Sequence, residues 1–198
     1  MPNEEAEEIQ LGSDIERLDP DGNLIIVAKG QSPADTRRFL VSSKVLSLAS
    51  PVFAKLFGPN FYEGTQVAAC TCPEVPLHDD DPAVTGALLA ILHYQEPQDV
   101  PNTDAEWLAN LAVHCDKYDC VKALNPWVLN WFQNFPPTRL MEKYGHLILA
   151  AHLFRSEEHF SRLTSKAQVH LNLNFHYYWD GVQILDRIPD SLKCELSF

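Results

Sequence analysis

The chain contains 198 residues, of which 45% are hydrophobic and 21% are charged, a composition typical of a globular protein. Its 27 acidic and 15 basic residues give a formal net charge of −12, which argues against nucleic-acid binding through phosphates and against docking on an anionic membrane. No apolar run approaches the roughly 20 residues of a membrane-spanning helix. The acidic start, MPNEEAEEIQ, is unlike a signal peptide, so we expect an intracellular protein of the cytoplasm or nucleus.

The first predicted elements are an acidic segment and a β-hairpin. Six of the first sixteen residues are Asp or Glu, so we expect residues 1–19 to be disordered. The turn signal Asp21-Gly22 precedes a β-branched run over 24–28, and RRFLVSS (37–43) predicts a second strand. The QSPAD segment between them predicts the hairpin loop.

Two short helices follow, predicted over 44–49 and 51–57. Ser50 and Pro51 divide them, because serine is a favoured N-cap and proline suits the first helical position.

An aromatic loop comes next, in which Phe61, Tyr62 and Glu63 lie between the helix breakers Gly58-Pro59 and Gly64. Two alternatives are open for the aromatic pair. Either it packs inward as core, or it is exposed for a partner.

A third strand is predicted over EVPLH (74–78), followed by a helix from Ala83 to about Tyr94. Three consecutive carboxylates precede Pro82, where negative charge favours a helix start. We interpret these carboxylates as helix-capping groups in preference to a cation site; they are Asp79, Asp80 and Asp81.

The second half of the chain is predicted to be helical. A capping box from Thr103 to Glu106 begins one helix, and Tyr118-Asp119 predicts a tight corner before the next, which contains Pro126 as a kink or restart. After a break at 134–138, the sequence predicts helices at 138–154 and 156–171 and leaves the aromatic tail 172–198 unassigned. Short early strands followed by many helices predict an α+β fold, a small sheet capped by helices.

Chemically reactive residues are present, but no catalytic motif is. The sequence has no glycine-rich phosphate loop, no G-x-S-x-G elbow and no H-E-x-x-H. Cys70, Cys72 and His78 are the best candidates for a metal-dependent or thiol enzyme, but they lack the second ligand pair that structural zinc usually has. We therefore predict no catalytic residue, no metal and no cofactor, and we expect the five cysteines to be free thiols.

Isolated histidines and tryptophans on the predicted helices are interpreted as structural. Trp127 and Trp131 are i, i+4 neighbours, a spacing that favours core packing. The helical histidines are interpreted as surface or hydrogen-bonded groups; they are His93, His114, His146 and His152.

Several spaced motifs resemble the BTB/POZ domain. DGNLIIVAKG and RRFLVSSKVLSLASPVFAKLFGPNFYEG are similar to its front half, in which Ser-x-x-Phe leads into an aromatic loop with a Glu. ALLAILHYQ resembles the family's central helix. LANLAVHCDKYDCVKALNPWVLNWF resembles its closing helical hairpin, with the Asp-Lys-Tyr-Asp corner of the fungal branch. The resemblance covers residues 20–135, and 136–171 is similar to the helical extension found after this domain in many fungal proteins.

The resemblance implies a BTB/POZ-like domain at 20–135 and a helical extension at 136–198, together forming a non-catalytic protein–protein interaction module. Two roles are common in the family: an adaptor that docks on a cullin-type ubiquitin ligase, and a homo-oligomerising scaffold in transcriptional or other regulation. In cullin-binding members, an apolar-x-Glu motif and the end of the central helix contribute to the docking surface. The matching positions here are Phe61, Tyr62, Glu63 and Tyr94.

Two departures from the family pattern affect these expectations. The N-terminal segment has few apolar residues for the extra strand and helix of swapped dimers, so we expect a monomer or a weak homodimer. Ser43 stands where the family usually has His, which leaves open whether Asp21 and Lys44 form a buried pair.

Overall fold

The computed structural model describes residues 15–30, 32–97, 104–135, 140–170 and 176–196. Within these ranges the chain forms a four-stranded sheet and a larger set of helices, so the predicted α+β fold is confirmed. The strands are β1 Ile15–Arg17, β2 Leu24–Ala28, β3 Arg37–Val41 and β4 Glu74–Leu77. The helices are α1 Ser43–Ala49, α2 Pro51–Leu56, α3 Tyr62–Ala69, α4 Pro82–Leu92, α5 Ala105–Lys117, α6 Val121–Asn134, α7 Met141–Leu153, α8 Glu157–His170, α9 His176–Trp179 and α10 Asp190–Glu195. Short 3-10 helices are formed by Pro33–Asp35 and Gln183–Arg187.

Strand β2 lies inside the sheet, whose order is β1-β3-β2-β4. It pairs antiparallel with β3 and parallel with β4. Every β2 residue is buried, because one face joins the main core and the other covers a small cluster of Ile25, Val27 and Leu40. Burial on both faces explains why LIIVA is continuously apolar and does not alternate with polar residues.

Strand β1 corrects the expectation that residues 1–19 are disordered. Ile15–Arg17 pairs parallel with β3, and Leu18 is buried in the main core. Glu16 forms an ion pair with Arg37 on β3 at 2.6 Å. A three-residue strand is too short for alternation to show in sequence, so its pairing becomes visible only in three dimensions. The residues before Ile15 lie outside the described part of the chain.

The turn before β2 is held by the side-chain amide of Asn23, and Asp21 and Lys44 do not form a buried pair. Asp21 and Lys44 are both exposed. Asn23 Nδ2 donates to Ser43 Oγ at 3.0 Å, and the Ser43 backbone N–H donates to Asn23 Oδ1 at 3.0 Å. Ser43 therefore ties this turn to the start of α1.

Helix α4 is the central helix of the core, and each residue from Val84 to Leu92 is buried. It packs against β3, α1, α5 and α6. The predicted cap is confirmed at Asp81, whose Oδ1 accepts hydrogen bonds from Ala83 N and Val84 N, both at 2.9 Å. This bond pair satisfies two of the backbone donors that every helix N-terminus leaves unpaired.

Helix α5 connects the sheet-containing part of the chain to the later helices, since it packs against α4 and α6 and, most extensively, against α7. The predicted start is wrong by one residue: Asp104 is the N-cap and accepts from Glu106 N at 3.0 Å. Thr103 lies outside the described residues. Of the two alternatives predicted at Pro126, a kink or a restart, the restart is wrong, because α6 continues through this residue.

The extension packs on α5 through α7, which is buried from Tyr144 to Ala151. Trp127 and Trp131 pack partly buried against this core, as their spacing predicts, and Trp131 also contacts Trp107 edge-on at 5.9 Å. The tail that the sequence left unassigned contributes buried side chains, including Trp179 at 2% exposure. Trp179 Nε1 donates to Met141 O at 2.9 Å, which ties the tail to α7.

None of the helices in the described residues combines the length and the apolar character needed to cross a membrane.

Candidate functional site

The predicted aromatic loop is the beginning of a helix. Phe61 is the N-cap of α3, and Tyr62 and Glu63 form its first turn. Gly64 is a buried residue inside this helix, where a Cβ would overlap the backbone of Gly58. The prediction that Gly64 is a helix breaker is therefore wrong, and glycine is needed here because two backbone segments approach closely. The site residues are therefore held on a short helix.

The structure resolves the two alternatives for the aromatic pair in favour of exposure. The side chains of Phe61 and Tyr62 are 48% and 73% exposed, and Glu63 is half-buried. The buried aromatic of this segment is Phe53 on α2, which stacks on Tyr118 at 4.5 Å between ring centroids. Because Phe53 supplies the core contact, Phe61 remains at the surface.

Tyr94 follows the C-cap of α4 and is 95% exposed, the largest exposure of any large hydrophobic residue in the described ranges. Its φ of +59° is left-handed, a conformation that bulky residues rarely adopt. The Tyr94 N–H donates to Ile91 O at 3.0 Å, and the Gln95 N–H donates to Ala90 O at 2.9 Å, which together form a Schellman cap. Glycine is usual at this position, so the helix end holds an exposed tyrosine at a conformational cost.

His93 fixes the end of α4 next to Tyr94. Its Nδ1 lies 2.8 Å from Leu89 O, and its Nε2 accepts a hydrogen bond from the Ser42 backbone N–H at 3.0 Å. These partners assign the proton to Nδ1. Burial lowers the pKa of His93 and so favours the neutral ring that this bonding pattern needs. The prediction that this histidine is hydrogen-bonded is confirmed.

Two further apolar side chains are exposed on the neighbouring helices. Leu48 on α1 is 75% exposed and Val52 on α2 is 36% exposed. Helix α1 packs against α2 and α4, and α2 packs against α3. Each of the four helices α1 to α4 or its end thus presents an exposed apolar residue. Leu48 and Val52 were not among the predicted site residues, although Leu48 lies two residues from the buried Leu46 and so points away from the core face of the helix.

Asp80 is the centre of a buried polar network, so its interpretation as a helix-capping carboxylate is wrong. It is 4% exposed and accepts a hydrogen bond from the Tyr118 hydroxyl and bonds at 2.9 and 3.0 Å from Lys117 Nζ. Burial and the bond to Asp80 raise the pKa of Tyr118, which keeps its hydroxyl protonated as a donor. The start of α4 is thereby tied to the end of α5.

The corner after α5 is held from its other side by Ser50. As predicted, Ser50 is the N-cap of α2 and its Oγ accepts from Phe53 N at 3.0 Å. The same hydroxyl donates to the backbone carbonyl of Tyr118. At the corner itself, Asp119 has a φ of +45°, in agreement with the predicted tight turn.

The candidate enzyme residues Cys70, Cys72 and His78 lie in different environments. Cys70 is exposed with its Sγ 3.4 Å from Gln66 Oε1, Cys72 packs against the small cluster under the sheet, and His78 is exposed. Burial raises the pKa of Cys72, which opposes formation of the thiolate that a nucleophile requires. Within the described ranges, no three His, Cys, Asp or Glu side chains are grouped closely enough to hold a metal ion.

A second candidate region is a pocket of about 420 Å³ where the N-termini of α5 and α7 meet. It is lined by the charged residues Asp104, Glu106, Glu142 and Lys143, together with His146. His146 is 2% exposed, and its Nε2 has no hydrogen-bond partner among the described residues. Burial lowers its pKa, while the nearby carboxylates of Glu106, Glu142 and Asp104 act in the opposite direction.

The interpretation of His146 as a surface or hydrogen-bonded histidine is therefore wrong. An unpaired buried polar atom costs about 1–3 kcal/mol. The available sequence signal was its position beside the apolar run LILAA, which places it on the buried part of α7.

Comparison with known proteins identifies the first part of the chain. The family model described as BTB/POZ domain matches residues 25–125. A search of the curated proteins found no match.

Proposed function

The chain belongs to the BTB/POZ domain family, and on that premise we propose that it is an adaptor that docks on a cullin-type ubiquitin-ligase scaffold. Membership in this family implies a protein–protein interaction module. The proposed docking surface consists of Phe61, Tyr62, Glu63 and Tyr94. The observation that supports it is the exposure of three aromatic side chains at the ends of packed helices.

Large aromatic residues are effective interface anchors when their backbone is already fixed. The carbonyl of Phe61 accepts from Thr65 N at 3.1 Å as part of α3, and Tyr94 is held by the Schellman cap. Binding would therefore cost little backbone entropy at Phe61 and Tyr94, because the backbone of each residue is already fixed. Glu63, in the same first turn of α3 as Tyr62, adds a negative charge suited to a basic or hydrogen-bond-donating group on the partner.

A pull-down with a cullin N-terminal region, followed by titration, tests this surface. We expect the wild-type chain to bind and Phe61→Ala or Tyr94→Ala to weaken binding about tenfold, because truncating an aromatic anchor commonly costs more than 1 kcal/mol. Leu129→Ala is the matched control, since Leu129 on α6 is also 48% exposed. Absence of wild-type binding, or equal affinity for all three variants, contradicts the adaptor proposal.

The family's other common role, homo-oligomerisation, is distinguished by light scattering across protein concentration. A mass that rises to a dimer or higher species would favour the scaffold role. A mass that stays at 22.4 kDa contradicts it and is compatible with the adaptor role.

We also propose that the domain extends over 20–135 and the helical extension over 136–198, in the manner of fungal members. The Asp-Lys-Tyr-Asp corner at 116–119 and the packing of α7 and the tail on one another support this division.

A further inference from the structure

The pocket between α5 and α7 has an excess of negative charge. Glu106 and Glu142 are exposed carboxylates at its edge, and Asp104 is engaged in capping α5. Among the described residues of the lining, Lys143 is the single basic side chain. Three carboxylates against one ammonium group favour a cationic occupant over an anionic one.

The same pocket contains a buried group without a partner. The Nε2 of His146 is buried and makes no hydrogen bond within the described residues, as noted above. Burial favours the neutral ring, which has one unprotonated nitrogen, and in the tautomer with the proton on Nδ1 that nitrogen is Nε2, a hydrogen-bond acceptor. A ligand with several N–H donors could therefore pair with the imidazole and the carboxylates at once.

We propose that this pocket binds the guanidinium group of an arginine side chain supplied by a partner protein, with His146 and the carboxylates of Glu106 and Glu142 as acceptors. Guanidinium is planar and has five N–H donors in a fixed arrangement, whereas the lysine ammonium is a compact group with three. The net charge of −12 also favours a basic partner segment. This proposal rests on the proposed interaction role in one respect, namely that a partner protein supplies the arginine.

The site is distinct from the aromatic surface. It is formed by α5 and α7 with Tyr178 of α9, whereas Phe61 and Tyr94 lie on α3 and at the end of α4. Tyr178 is 55% exposed and Leu140 is 60% exposed at the same pocket, so apolar surface is available beside the charged groups for the aliphatic part of an arginine side chain.

NMR titration of the full chain with an end-blocked Gly-Arg-Gly peptide tests the proposal. We expect the His146 ring signals to shift and to saturate. Gly-citrulline-Gly, a neutral isostere, should bind roughly tenfold more weakly, because charge-assisted hydrogen bonds are lost. Absence of a His146 shift, or equal binding of the citrulline peptide or of Gly-Lys-Gly, overturns the proposal.

Variants locate the binding. Glu142→Gln should weaken the arginine peptide about tenfold. Glu157→Gln is the matched control, because it makes the same change in the first turn of α8, outside the pocket, and should leave the affinity unchanged. Equal effects of the two variants contradict the assignment. Phe61→Ala should also leave arginine binding unchanged, so failure of the cullin test and failure of this site are distinguishable.

Discussion

Two buried polar side chains lie near opposite ends of helix α5, and they differ in how their hydrogen bonds are satisfied. At the C-terminal end, the Asp80 carboxylate is bonded by Lys117 and Tyr118. Near the N-terminal end, His146 of α7 has an Nε2 without a partner in the described part of the chain. A satisfied buried group ties elements together, whereas an unsatisfied one lowers stability and is available to a ligand. Polar contacts therefore tie the start of α4 to the end of α5, whereas α7 and the tail are held together mainly by buried apolar side chains.

Removal of the Asp80 carboxylate should have the largest effect. Asp80→Ala leaves the buried Tyr118 hydroxyl without its acceptor and should lower the free energy of unfolding by about 3 kcal/mol. Urea unfolding followed by circular dichroism measures it. Asp116→Ala is the control, since Asp116 is exposed and lies 3.8 Å from Arg155, and should change stability by about 0.5 kcal/mol or less. Similar losses of unfolding free energy in both variants would show that the hydrogen bonds of Asp80 do not stabilise the packing of α4 on α5.

The packing of the tail on α7 is tested by Gly145→Ala. A Cβ there would come within 2.8 Å of Leu185 Cδ1 and 2.9 Å of Trp179 Nε1. Overpacking of this kind should cost about 2 kcal/mol and loosen the tail. Hydrogen exchange should accelerate in 176–196 and stay unchanged in α4. Exchange that is unaltered in the tail would contradict the described packing.

The contacts of Ser50 with the Tyr118-Asp119 corner give a third test. Ser50→Ala removes both the cap of α2 and the bond to Tyr118 O, so we expect a loss of about 1.5 kcal/mol in the free energy of unfolding. Ser42→Ala is the comparison, because Ser42 Oγ caps α1 through a longer bond of 3.3 Å to Val45 N. Its loss should be smaller. The reverse order, measured by urea unfolding, would show that the Ser50 bond to the corner adds nothing.

At the N-terminal end of α5, in contrast to the Asp80 end, removal of a buried polar side chain should not lower the free energy of unfolding. His146→Leu replaces an unpaired buried imidazole with an apolar side chain of similar size, so stability should be unchanged or rise by up to about 1 kcal/mol. Together with Asp80→Ala this variant separates the two polar sites. A large loss in His146→Leu would indicate that the imidazole has a structural partner.

Acid should weaken the fold through the same histidine. Burial lowers the pKa of His146, His93 and His159 in the folded state below the ordinary 6.5. The unfolded chain then binds more protons, so their contribution to stability is complete above pH 6.5 and is lost as the pH falls through the lowered values. The melting temperature should fall between about pH 7.5 and about pH 5, and His146→Leu should show a smaller fall. An unchanged pH dependence in the variant would exclude His146 as a contributor.

Much of the domain could be predicted from local sequence signals. The strands β2 and β3 follow from short apolar runs, α2 from Ser50-Pro51, and α4 from Asp81-Pro82, because caps and turns involve residues a few positions apart. The aromatic positions Phe61, Tyr62 and Tyr94 were selected by family resemblance, and the structure places them at the surface. Their binding role remains a prediction.

By itself, the sequence determined the α+β class, the hairpin, the helix starts at Pro51 and Pro82 and the acidic character of the chain. The tertiary structure alone decided that Gly64 lies inside a helix, that β1 joins the sheet, that Asp80 is satisfied and that His146 is not. The physical reason is separation along the sequence. A helix cap involves residues within one turn of each other, so local sequence predicts it. Burial and its hydrogen bonds depend on residues such as Asp80 and Tyr118, 38 positions apart, which meet only when the helices pack.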